Sequence, residues 1–115
     1  MATVTEVIHR TGSELGLLRL GQSLQAQDNT RITASYNEEY AKLKKDGLAI
    51  WASDGVIPDD IVPSLVFLMA DNCLGSYGVS NDRFQRIKLG VKFALREIQK
   101  FTAPNFSSQD EASDY

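Results

Sequence analysis

The chain has 115 residues, close to the usual length of one domain, so it can bury one compact core but not two. Its 43% hydrophobic and 23% charged content is that of an ordinary globular protein, which excludes a disordered chain, and no run approaches the roughly 20 apolar residues that span a bilayer. A formal net charge of −3 excludes the clearly basic domain that tight duplex binding usually needs.

Val4, Val7, Ile8, Thr11 and Leu15 recur at helical spacing with Glu6, Arg10 and Glu14 between them, which predicts a first helix, weakened at Gly12. These opening residues lack the basic-then-apolar layout of a signal peptide, so export is not expected. Gly16 is a helix stop, and with Gly21 it brackets an apolar connector of Leu17, Leu18 and Leu20. A second helix is predicted over about Ala26 to Asp46, preceded by Ser23 or Gln25 and ended by Gly47. Asp28 in its first turn and Lys42, Lys44 and Lys45 in its last complement the helix dipole. Ile32, Tyr36, Tyr40 and Leu43 form its buried stripe, with Glu38, Lys42 and Lys45 outside.

Leu48 to Ile57 predicts a short hairpin or an extended loop around the turn signal Ser53, Asp54, Gly55. Asp59 or Asp60 is expected to cap a third helix, which tolerates Pro63 in its first turn because the backbone donor there has no intrahelical partner, and Gly78 is expected to end it. Ile61, Leu65, Leu68, Met69, Asn72 and Cys73 mark one side of this helix, while Val66, Phe67, Leu74 and Tyr77 fill most of the rest. A helix apolar nearly all round is buried nearly all round. Four short helices are expected to leave it under-covered, which argues for self-association. The single cysteine, Cys73, excludes an internal disulfide and reads as a buried thiol.

Ser80 caps a fourth helix that runs to Phe101. Phe84, Ile87, Val91, Leu95 and Ile98, with Ala94 beside them, form its expected core stripe. Leu89 and Phe93 point the other way, among Arg86, Arg96 and Lys100. A Leu/Phe pair ringed by cations reads as an interface patch or as two stray surface hydrophobes, and the interface is the reading preferred here. Residues 102–115 are polar and acidic, too poor in apolar groups to fold alone. They are either a frayed tail or an arm ordered on docking, with Phe106 and Tyr115 as anchors. The expected architecture is all-α: a four-helix bundle over residues 1–101 with a short hairpin or loop between helices two and three, then a flexible acidic arm over 102–115.

Charge is segregated along this plan. Residues 1–79 carry six basic and ten acidic side chains, residues 80–101 six and two, and residues 102–115 none and three. Blocks of opposite sign suit a contact with neighbouring copies or with a large partner.

No chemistry of catalysis is legible. His9 is the only histidine and no cysteine stands at metal-ligand spacing from it, so no metal is expected. Asp59 and Asp60 are explained by a helix start, and Gly12, Gly16 and Gly21 lack both the GxGxxG spacing and a following Lys-Ser/Thr. Neither an enzyme nor a cofactor is expected. Trp51 and the tyrosines are not interleaved with basic residues as a single-strand platform requires. A helix-turn-helix through Gly78 leaves a small helical DNA-binding regulator as the alternative function.

Three passages resemble the head-to-tail adaptor proteins of tailed bacteriophages, the family of packaged-DNA stabilisation proteins. They are Leu15, Gly16, Leu17, Leu18 leading to Gly21; the helix exit Lys44, Lys45, Asp46, Gly47, Leu48; and Ile57, Pro58 through Pro63, Ser64, Leu65, Val66, closing on Asn72, Cys73, Leu74, Gly75, Ser76, Tyr77, Gly78, Val79. The likeness spans about residues 3–101. Family members often have a longer hairpin and C-terminal region, and Ile50 and Trp51 occupy what remains of the hairpin here, the expected tail-facing contact. The resemblance implies a virion protein made in the host cytoplasm and located at the neck, forming a ring, commonly a dodecamer, beneath the portal protein. It also implies contact with the next tail component and passage of DNA through the channel without sequence-specific binding, which a near-neutral to acidic body suits. By resemblance the portal or intersubunit contact falls on Arg86, Leu89, Phe93, Arg96, Lys100, Phe101 and Phe106.

Overall fold

The computed structural model describes residues 1–18 and 23–114, with side chains described as far as Thr102. Four helices make up the fold: α1 (Val4–Glu14), α2 (Ala26–Lys45), α3 (Val62–Cys73) and α4 (Asn81–Asp114). The all-α, four-helix reading is therefore the observed one, and no strand occurs among the described residues.

Local sequence sets the helix ends. Thr3 and Glu6 form a reciprocal capping box, the Glu6 amide donating to Thr3 Oγ1 at 3.2 Å, so α1 starts sharply. Gly16 takes a φ of 78° and the Leu17 amide reaches back to the Gly12 carbonyl at 3.0 Å, while Gly47 takes 76° and the Leu48 amide reaches the Leu43 carbonyl at 2.7 Å. Both are Schellman closures that only glycine enters without steric cost. At the start of α4 the Arg83 amide donates to Ser80 Oγ at 3.3 Å.

α3 sits between the other helices and is packed by α1, α2 and α4. Its Leu65, Val66, Met69, Ala70 and Cys73 are buried, and burial pushes the Cys73 thiol upward in pKa. Phe67 lies against Gly90 of α4, and Leu74 and Tyr77 pack on the core margin. The apolar perimeter of α3 is thus covered from within one chain, which corrects the expectation that it would need a second copy. A central helix has three neighbours, and three neighbours hide nearly its whole circumference.

Three boundaries also differ from expectation. α3 closes at Cys73 and passes into a 3-10 turn over Leu74–Ser76, short of Gly78. There the Arg31 guanidinium takes the Asn72 carbonyl at 2.8 Å and Ser76 Oγ at 3.0 Å, satisfying an orphan acceptor of the helix end. Neither Asp59 nor Asp60 caps α3. Its N-cap is Ile61, led in by a turn from Pro58, with Pro63 in the first turn and the Asp59 carboxylate on the Met1 ammonium at 2.6 Å. α4 runs on past Phe101 to Asp114 as helical backbone. The side chains of the expected acidic arm, Phe106 and Tyr115 among them, and the Leu20–Gly21 part of the connector lie outside what is described.

Residues 48–57 form a loop rather than a paired hairpin. Its only bridge joins Ile57 to Ala2, with backbone hydrogen bonds of 2.7 and 3.0 Å. α2 holds the loop by two tyrosines: Tyr36 donates to the Ser53 carbonyl at 2.8 Å and Tyr40 to the Trp51 carbonyl at 2.7 Å.

Candidate docking interface on the fourth helix

α4 takes its packing from α3, and a helix with one main neighbour buries a narrow stripe. Ile87, Ala94 and Ile98 are fully buried, Val91 and Phe101 half-buried, and Thr102 is buried with its hydroxyl on the Ile98 carbonyl at 2.8 Å. Phe84 and Leu95, expected in this stripe, are instead 39% and 46% exposed. At about 100° per residue they stand roughly 60–80° round the helix from the Ile87–Ala94–Ile98 line, beyond the reach of α3.

Leu89 and Phe93 face away from the bundle as expected, at 60% and 45% exposure. Arg96 and Lys100 stand exposed beside them, and neither makes an ion pair among the described residues. Lys92 completes a row of cations spaced four residues apart, its Nζ 5.7 Å from the Phe93 ring centroid. The sequence reading passed over Lys92, although its position one turn before Arg96 is a visible signal. Lys88 belongs less to this face: its Nζ meets Asp71 at 2.7 Å and lies 5.6 Å from the Phe84 ring centroid.

Two of the expected contact residues on α4 are engaged by the chain's own side chains. Arg86 grips Glu14 with both arms, Nε to Oε2 at 3.1 Å and Nη2 to Oε1 at 3.2 Å, and its guanidinium lies 6.0 Å from the Phe67 ring centroid. It ties α4 to the end of α1. Arg83 reinforces that junction, donating to the Ser13 carbonyl at 3.0 Å. A cleft of about 180 Å³ beneath them is floored by Val66 and Phe67. Phe101 turns toward the core and offers only part of its ring.

At the other candidate contact, Trp51 is 6% exposed, with its indole donating to Tyr36 at 3.1 Å and its ring edge-on to Tyr40 at 5.7 Å. It is a core anchor and not the surface contact expected of it, whereas Ile50 is exposed. Among the described residues the one buried carboxylate is Glu39, which the sequence did not flag; it accepts from Asn72 Nδ2 at 2.7 Å and joins α2 to α3.

The surface that remains is an apolar pair, Leu89 and Phe93, bordered by Lys92, Arg96 and Lys100. Such a face can bind a complementary surface by burying two large side chains while its cations select an acidic partner. Among the described residues no cluster of three or more His, Cys, Asp or Glu side chains is placed to hold a metal ion, and no helix is long and apolar enough to cross a membrane. Comparison of the chain with known protein-family models, with curated proteins and with solved structures gives no match.

Proposed function

We propose that this chain is a structural virion protein, a head-to-tail adaptor whose copies form a ring under the portal, link it to the next tail component and help retain packaged DNA. The observation that carries the reading is the outward face of α4, where Leu89 and Phe93 stand exposed within a row of cations that make no ion pair among the described residues. A large assembly gives such a face an occupant. The order of four helices and the three sequence passages that resemble the adaptor family supply the particular assembly. The apolar perimeter of α3 no longer contributes to the argument, because the chain covers it.

The alternative, a DNA-binding regulator, needs the first turns of α4 to present cations to a duplex. Arg83 and Arg86 stand in those turns and are committed to α1. Native mass spectrometry and electron microscopy of the chain mixed with the portal protein of the same virus separate the two readings. A ring seated on the portal is the expected result. Salt-sensitive binding to duplex DNA by the isolated chain, with no ring, overturns the adaptor reading in favour of the regulator.

A further inference from the structure

Seven large hydrophobic side chains are exposed among the described residues, and they fall into two groups of opposite charge. Phe84, Leu89, Phe93 and Leu95 lie on α4, whose stretch 80–101 carries six bases and two acids. The other three are Met1, Ile50 and Val56. Ile50 and Val56 belong to the loop between α2 and α3, and the bridge between Ala2 and Ile57 brings Met1 to the same loop. From Asp46 to Asp60 that loop contains four aspartates and no basic residue. Asp59 is engaged by the Met1 ammonium, while Asp46, Asp54 and Asp60 are exposed and make no ion pair among the described residues. Lys44 and Lys45 precede Asp46 on the last turn of α2, so the acidic character of the loop rests on the three aspartates beyond Gly47.

We infer that the loop between α2 and α3 of one copy seats on the outer face of α4 of another, with Ile50 and Val56 against Leu89 and Phe93 and with Asp54 and Asp60 toward Lys92 and Arg96, since Lys100 already stands with Asp60 on one shallow cleft of its own chain. The occupant is a second copy of this chain, and the argument for it is complementarity in both respects at once: each patch has exposed apolar side chains, and the two carry opposite sign. Pairing α4 with α4 about a two-fold axis would set the row of cations against itself, which like-charge repulsion opposes. The contact is therefore between different surfaces, the kind that closes into a ring or runs on as a filament. The inference rests on the reading of the chain as a ring-forming protein and names the surfaces through which copies meet.

A charge-swap series tests it. The pair Lys92→Glu and Arg96→Glu reverses one patch, Asp54→Lys and Asp60→Lys the other, and a third chain carries all four. Sedimentation velocity at rising concentration, in low and high salt, reads self-association, and far-UV circular dichroism establishes that each chain is folded. The wild type is expected to associate with concentration and to lose association as salt rises. Each reversed pair should weaken association about tenfold or more, and the four-fold chain should regain it. A wild type that stays monomeric at every concentration overturns the inference. So does a four-fold chain that folds but does not regain association, or a loop reversal without effect where the α4 reversal abolishes it, since the occupant of α4 is then another acidic surface. A ring on the portal that ignores the swaps overturns these surfaces and leaves the adaptor reading standing. Rescue by the swap in a chain that never binds a portal does the reverse.

Discussion

The indole N–H of Trp51 donates to the hydroxyl of Tyr36 at 3.1 Å, and both side chains are buried, so the loop that carries Ile50 is fastened to the middle of α2. That hydroxyl in turn donates to the Ser53 carbonyl. Tyr36→Phe removes one oxygen and leaves the buried indole N–H without an acceptor. The expected cost is about 1–3 kcal/mol. Denaturant unfolding followed by the emission of Trp51, the only tryptophan in the chain, checks it. An unchanged midpoint would mean that the loop is held by its aromatic packing and the Tyr40 hydrogen bond, without the Tyr36 hydroxyl.

Gly90 of α4 lies against the Phe67 ring of α3. A Cβ there would run into Cγ of the Phe67 ring, so Gly90→Ala is expected to destabilise by about 1–3 kcal/mol despite the better helix propensity of alanine. Combining Gly90→Ala with Phe67→Ala should cost less than the two changes summed, and a double-mutant cycle from thermal or denaturant unfolding measures that coupling. Additive costs would place the ring away from α4.

Arg86 and Phe93 should separate cleanly in function although both lie on α4. Arg86 is engaged with Glu14 on a half-exposed junction, so Arg86→Ala is expected to lower stability by about 1 kcal/mol or less and to leave assembly intact. The readouts are unfolding and sedimentation of the same sample. Loss of assembly without loss of stability would return Arg86 to the docking face.

Alkaline stability depends on Tyr77. Its hydroxyl is pushed up from 10.0 to about 12, first by burial and then by the hydrogen bond it donates to Asp28 at 2.9 Å. A folded-state pKa above the unfolded one means that the native chain holds its proton longer. The stabilisation is complete below about pH 10 and lost as pH rises through about 12. Burial also raises Tyr36, so Tyr77→Phe should reduce, not abolish, the fall in unfolding free energy across that window. Equal slopes for the wild type and Tyr77→Phe would show that Tyr77 is not the group responsible.

Helix number and helix ends were legible in the sequence where a local rule decides them. Gly16 and Gly47 stop their helices because a left-handed residue closes the last turn, and Ser80 caps α4 through its own hydroxyl. The sequence reading passed over the capping box at Thr3 and Glu6, although its spacing of three is a visible signal. What the sequence could not reveal is which helix stands at the centre. The apolar perimeter of α3 is compatible with a buried central helix or with an interface, and only the packing of three neighbours around it decides. The same limit misplaces Phe84 and Leu95, whose helical phase is nearly right but whose burial depends on how wide a stripe α3 covers. Trp51 was taken for a surface residue because its tyrosine partners lie 11 and 15 residues earlier on α2, a distance no periodicity spans. Leu89 and Phe93 were readable because their exposure follows directly from helical phase.

The account turns on the outer face of α4, and Phe93→Asp tests it most directly. The side chain is 45% exposed and outside the core stripe, so an aspartate there should leave far-UV circular dichroism and the unfolding midpoint close to wild type. Electron microscopy of the variant mixed with the portal protein of the same virus should then show no ring where the wild type forms one. A ring formed by Phe93→Asp in wild-type yield would contradict the claim that this face is where the chain docks.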